Sequence, residues 1–198
     1  LWGSPLNGEM ILEITGDQIA QLNDTDLRTL VGRLCECEVR AQGHCPSAVT
    51  WGGHQNAGDG GIDVRVALPA GAAISGYVPK AATGFQVKAQ DMPRGTICKE
   101  MAPDHVVRSS ITELANIGGA YIIVSSKGSI SDRSLKDRKA AMAEAVEAVP
   151  SASSLTLDFY DCRRIASWVN QRPGLVPWVR EKLGLPLSGW RPFEDWSS

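Results

Sequence analysis

The sequence predicts an α/β domain of three layers, a mixed β-sheet with helices on both faces. Three observations carry this. Residues 120 to 126 form a nearly continuous apolar, β-rich run, as a strand covered on both sides requires. Residues 62 to 68 instead alternate apolar and polar, the pattern of a half-buried strand. The early strands follow one another through loops, whereas the later ones are separated by helical segments. An antiparallel start followed by parallel crossovers is therefore expected.

Taken in order, residues 11 to 14 form a short apolar stretch. Asn23, Asp24 and Thr25 are a helix-start cluster. A helix from about 25 to 41 then places Leu27, Leu30, Val31 and Leu34 on one face, and Gly43 ends it. Residues 48 to 51 read as a strand, 52 to 61 as a polar glycine-rich loop, and 62 to 68 as the alternating strand. Residues 69 to 84, rich in Gly, Pro and Ala, form a long connection to a strand over 84 to 89. A helix follows over 103 to 117 with Pro103 in its first turn, then the central strand over 120 to 126. Ser131 and Asp132 open a helix over 131 to 148. A last strand covers 155 to 160, a helix runs from Asp161 through Trp168, and another spans roughly 176 to 183.

The chain of 198 residues is 43% hydrophobic and 21% charged, enough to bury one core of ordinary size. The expected domain covers 11 to 185, with 1 to 10 a tag or disordered lead and 186 to 198 a tail or linker towards a missing downstream region. No apolar run is long enough to span a bilayer, and no secretory signal pattern is present, so a cytoplasmic protein with no membrane partner is expected. An odd set of five cysteines agrees with a reducing compartment. Cys35, Cys37, His44 and Cys45 are close in sequence, but the first two are i and i+2 on a helix and point apart. Small buried hydrophobes explain them better than zinc ligands. A net charge of −2 is not the signature of a globally basic nucleic-acid binder, so any such binding has to use a local patch.

The chemistry-bearing pattern is Asp63 on one strand with Gln86 and Lys88 two apart on the next. Residues two apart on a strand share a face, and pairing of the two strands brings the three side chains together. Such a set suits phosphodiester hydrolysis. A carboxylate and an amide oxygen can hold a hard cation such as Mg²⁺, and a lysine can position water and stabilise developing negative charge. Glu38 falls on the apolar face of the first long helix. There it needs a partner, which a metal ion or Lys88 would supply, unless the apolar stripe has ended and Glu38 lies in water. Asp63, Gln86 and Lys88 as solvent-facing strand residues is the competing reading.

The segment Asp59-Gly60-Gly61-Ile62-Asp63, followed by Gln86-Val87-Lys88, resembles the Mrr-like branch of the PD-(D/E)xK nuclease superfamily, over residues 25 to 170. The resemblance implies a restriction-endonuclease-like fold and a divalent-metal-dependent endonuclease that cleaves DNA, double-stranded by expectation, with Mg²⁺ or Mn²⁺. It further implies Asp63 as metal-binding acid, Gln86 as the variant second position, Lys88 as catalytic lysine, Glu38 as helix acid and Asp59 as accessory acid. Asp63, Gln86 and Glu38 would be the metal ligands. A larger bacterial defence protein, restriction or antiphage, would contain it beside other domains, and double-strand cleavage would need a homo-oligomer. The connection over 64 to 85 is longer than a minimal hairpin, and neutral Gln86 replaces an acid.

His54, Gln55, Lys127 and Arg133 are weak candidates for DNA contact. Arg133, Lys136, Arg138 and Lys139 form a basic patch near a helix start, and Ser125, Ser126 and Lys127 close the central strand near the expected site. The competing function is a catalytically inactive module of the same fold that binds DNA or assembles proteins. A ribonuclease or nickase also remains open.

Overall fold

The computed structural model describes residues 13–52, 60–127 and 131–185. Their elements are helices α1 (Gly16–Ile19) and α2 (Asp24–Ala41), strands β1 (Val49–Trp51), β2 (Val64–Ala67) and β3 (Ala82–Lys88), helices α3 (Arg94–Met101) and α4 (Ser109–Asn116), strand β4 (Ala120–Ser125), helix α5 (Asp132–Ala145), strand β5 (Thr156–Tyr160), and helices α6 (Cys162–Asn170) and α7 (Val176–Lys182). The five strands form one mixed sheet in the order β1-β2-β3-β4-β5. β1, β2 and β3 pair antiparallel, and β3, β4 and β5 pair parallel, as the early loops and later helices required.

Two apolar cores lie on opposite faces of the sheet. Phe85, Val87, Ile122 and Val124 pack with Leu27, Leu30 and Leu34 of α2 and with Ile165, Trp168 and Val169 of α6. Tyr121, Ile123 and Phe159 pack with Ile97 and Met101 of α3, Leu114 of α4 and Met142 of α5. Every residue of β4 is buried, which explains its unbroken apolar run.

Local chemistry sets the helix ends. The Asn23 side chain accepts from the Asp26 amide at 2.8 Å, and Asp24 and Asp26 add negative charge to the first turn of α2. Ser131 caps α5 and Asp161 caps α6. Gly32 lets α2 approach β1, because a Cβ there would lie 2.4 Å from Trp51 Cδ2. The long connection before β3 is pinned: the Gln42 side chain exchanges two hydrogen bonds of 3.0 Å with the Ser75 backbone, and Tyr77 stacks on Trp168 with ring centroids 4.8 Å apart.

Several expectations need correction. A helix over 103 to 117 is replaced by two pieces, a 3₁₀ turn at Pro103–His105 and α4. The break lies at Asp104 and His105, whose φ values of 52° and 62° are left-handed and cannot continue a right-handed helix. Helix α3 was not expected at all. β2 starts at Val64, because Ile62 and Val64 enter opposite cores and the chain crosses the end of the sheet at Asp63. Cys35 is buried, as a small hydrophobe should be, but Cys45 is exposed with its sulfur 3.0 Å from Ser47 Oγ. The expected lead over 1 to 10 and tail over 186 to 198 lie outside the described residues. Among the described residues, no helix is long and apolar enough to cross a membrane.

Candidate functional site

Asp63 sits where β2 begins, beside the carboxyl-terminal end of β3. Its backbone N–H donates to the Phe85 carbonyl at 2.8 Å, and its Oδ2 accepts from the Val87 N–H at 2.7 Å. Both carboxylate oxygens have partners, since Arg28 Nε of α2 lies 3.0 Å from Oδ1. The same end of α2 holds the sheet terminus directly, because Asp24 Oδ1 accepts from the Ala89 N–H at 2.7 Å.

The glycines before Asp63 have a geometric reason. Gly60 and Gly61 have φ values of 58° and 83°. A Cβ on Gly61 would lie 2.6 Å from Arg108 Cδ, and the Gly60 carbonyl accepts from Ser110 Oγ at 2.5 Å. The glycine pair itself therefore lies against α4 and its leading arginine.

Gln86 and Lys88 do share a face, and they meet at an acid that the sequence reading had passed over. Gln86 is 1% exposed, and its Nε2 donates to Glu100 Oε1 of α3. Its Oε1 accepts from the Tyr121 hydroxyl of β4. Lys88 Nζ lies 3.4 Å from Glu100 Oε1, and Arg108 Nη2 lies 3.1 Å from it. Arg108 Nε also donates to the Glu100 carbonyl at 2.6 Å. The amide orientation of Gln86 follows from this network, since turning it over would face its oxygen to a carboxylate.

Burial raises the Tyr121 pKa strongly, the charge of Glu100 raises it further, and Arg108 opposes this in part. The hydroxyl is therefore a neutral donor across the physiological range. Asp63 also contributes to the rise, so both carboxylates lie within electrostatic reach of Tyr121. Around the end of β3 the structure thus gathers two carboxylates, Asp63 and Glu100, and three cations, Arg28, Lys88 and Arg108. Among the described residues, no three His, Cys, Asp or Glu side chains gather at one point. Oxygen donors with adjacent cations are suited to hard cations and to phosphate-like anions.

Other expected site residues go elsewhere. Glu38 is turned inward on the predicted helix face but ten positions beyond Arg28, roughly 15 Å further along the axis at 1.5 Å per residue. Its Oε2 lies 2.6 Å from Arg172 Nη2 and accepts from Trp168 Nε1 at 3.2 Å, while Oε1 accepts from Gln42 at 3.0 Å. The expected partners, a metal or Lys88, are replaced by Arg172, so Glu38 is no part of the cluster. The Gln86 oxygen, expected as a metal ligand, accepts from the Tyr121 hydroxyl.

Lys127 donates to the Ala20 carbonyl at 2.6 Å and Ser125 to the Gln90 carbonyl at 2.7 Å. Arg133 is exposed on α5, but the basic patch is broken. Arg138 is buried against Asp91 and the Phe159 ring, and Lys139 pairs with Asp158 at 2.6 Å. His54, Gln55 and Asp59 lie outside the described residues. A groove of about 870 Å³ on another side of α3, lined by Cys98, Lys99, His105 and Glu147 among others, contains none of the clustered residues.

Glu100, Arg28, Arg108 and Tyr121 were missed by sequence reasoning. A usable signal existed for Glu100: Pro93 followed by Ile97 and Met101 at helical spacing marks a helix that carries it. Comparison with protein-family models, curated proteins and solved structures gave no match.

Proposed function

We propose that this domain is a divalent-metal-dependent phosphodiesterase acting on nucleic acid, with DNA the preferred substrate. The observation that carries the reading is the ion pair of Lys88, on β3, with Glu100, with Gln86 bonded to Glu100 and Asp63 bonded to the neighbouring Val87 N–H. The restriction-endonuclease-like fold is part of the same proposal. A mixed sheet, with an antiparallel pair joined to parallel crossovers and helices on both faces, supports it.

The residues fit a hard cation. Asp63 and Glu100 would hold Mg²⁺ or Mn²⁺, and Mg²⁺ commonly uses only one or two protein carboxylates together with substrate phosphate and water. When bound, the cation supplies Lewis acidity towards the scissile phosphate and acidifies water. Lys88 carries three N–H donors at the same carboxylate, which suits it to orient the attacking water and to stabilise the charge that develops on phosphorus-bound oxygen. Gln86, fixed by the Tyr121 hydroxyl, limits the rotamers of Glu100, and Arg108 holds the same residue through its carbonyl and carboxylate. In this reading the neutral residue of the Gln-x-Lys pair positions an acid delivered by the next helix.

The second reading is a nuclease-fold module that has lost catalysis. The engagement of both carboxylates by cations favours it. Plasmid cleavage by wild type, Lys88→Ala and Glu100→Ala, with Mg²⁺, Mn²⁺ or EDTA, tests the two. Metal-dependent cutting lost in both folded variants supports the enzyme. No cutting by wild type with either metal supports the inactive module.

A further inference from the structure

We propose that Arg28 is the residue that receives a substrate phosphate at this site, and that its ion pair with Asp63 makes metal binding depend on the presence of nucleic acid. The inference rests on the phosphodiesterase reading and adds to it a residue and an order of events.

The Asp63 oxygen left over by the Val87 amide is Oδ1, the one a cation would need, and Arg28 Nε lies 3.0 Å from it. A guanidinium and a divalent cation at the same oxygen repel each other, so the two compete. Arg28 is also incompletely satisfied: its Nε is buried, yet its N–H points off the carboxylate and makes no hydrogen bond among the described residues. A buried donor without an acceptor is unfavourable, and a phosphodiester offers acceptors matched to the guanidinium fork. Arg108 differs in this respect. It is fixed by two hydrogen bonds to Glu100, at 2.6 Å to the carbonyl and 3.1 Å to the carboxylate. Arg28 is the cation whose present partner is poorly made and whose side chain, 18% exposed, borders solvent.

Transfer of Arg28 from Asp63 to a phosphate frees Oδ1 for the cation. Nucleic acid and metal then bind cooperatively, and linkage requires that each raise the affinity of the other by the same factor.

The test is calorimetric titration of Mn²⁺ into wild type, Arg28→Gln and Arg28→Lys, alone and saturated with a short phosphorothioate DNA duplex that resists cleavage. The duplex is expected to tighten Mn²⁺ binding to wild type by roughly tenfold or more, within the usual range of coupling between sites. Arg28→Gln should bind Mn²⁺ roughly tenfold more tightly than wild type without duplex and gain little when duplex is added. Arg28→Lys, which keeps a charge without the fork, should bind Mn²⁺ as weakly as wild type and bind duplex less well. Arg28→Gln with unchanged or weaker Mn²⁺ affinity, or the same duplex effect in all three proteins, overturns the proposal while leaving the phosphodiesterase reading intact. No Mn²⁺ binding by any of them, with or without duplex, overturns both.

Discussion

The Gln86 amide donates to the Glu100 carboxylate, linking a strand residue to a helix residue 14 positions later. Helix α3 thus brings the carboxylate proposed as the second metal ligand to the same face of the sheet, beside Lys88. Partners that orient metal ligands contribute about 10–100-fold to function, so loss of the proposed ligand itself should exceed roughly 100-fold. Glu100→Gln is expected to reduce metal-dependent cleavage by at least that factor while circular dichroism shows an intact fold. Gln86→Glu should also be harmful, because it sets two carboxylates against each other in a buried place. A gain of cleavage in Gln86→Glu would contradict the positioning role.

The pH dependence of stability follows from the tyrosines. Burial is the first cause of the raised pKa of Tyr77, Tyr121 and Tyr160, the three tyrosines of the chain. The folded state therefore keeps these protons to higher pH than the unfolded state, whose tyrosines ionise near pH 10. The tyrosine contribution to stability is constant below that pH and falls above it, by up to about 1.4 kcal/mol per pH unit for each fully buried tyrosine. The phenolate absorbance of the fully buried pair, Tyr121 and Tyr160, should rise together with unfolding rather than ahead of it. Tyr121→Phe should flatten the alkaline slope, and at neutral pH should destabilise by about 1–3 kcal/mol by leaving the buried Gln86 oxygen without its donor.

Gly61→Ala tests the motif glycine. The φ of 83° is unfavourable for alanine by roughly 1–2 kcal/mol, and the new Cβ meets Arg108. Chemical denaturation should register the lost stability. Cleavage should fall further than that loss explains, because Arg108 holds Glu100.

Glu38→Gln should separate stability from chemistry. Breaking a buried ion pair by neutralising one partner is costly, up to about 3–5 kcal/mol, and Arg172 keeps its charge here. A lower denaturation midpoint with unchanged activity per folded molecule is expected. Lost activity with unchanged stability would return Glu38 to the site.

The contrast between Glu38 and Arg28 shows what the sequence could reveal. Helical periodicity gives the angle around an axis, and it placed Glu38 correctly on the inward face of α2. It does not give the height at which that helix crosses the sheet, and the end bearing Asp24 and Arg28 is the one that reaches Asp63. The strand residues were easier, because a period of two fixes Gln86 and Lys88 on one face whatever the packing. The order of antiparallel and parallel pairings was legible for a similar reason, from loop length. Helix α3 was hidden because Pro93 offers no side-chain cap and Gly95 weakens its first turn. With it went Glu100.

Helix α3 has eight residues, buries Ile97 and Met101, and is tied to α5 at the surface by Arg94 with Asp137 and Glu144. A segment that short does not persist in water without its packing. If Glu100 is the acid proposed above, its place there ties catalytic competence to a local opening equilibrium as well as to global unfolding. On warming, activity should therefore fade before the sheet melts, and amide exchange in α3 should accelerate over the same temperature interval.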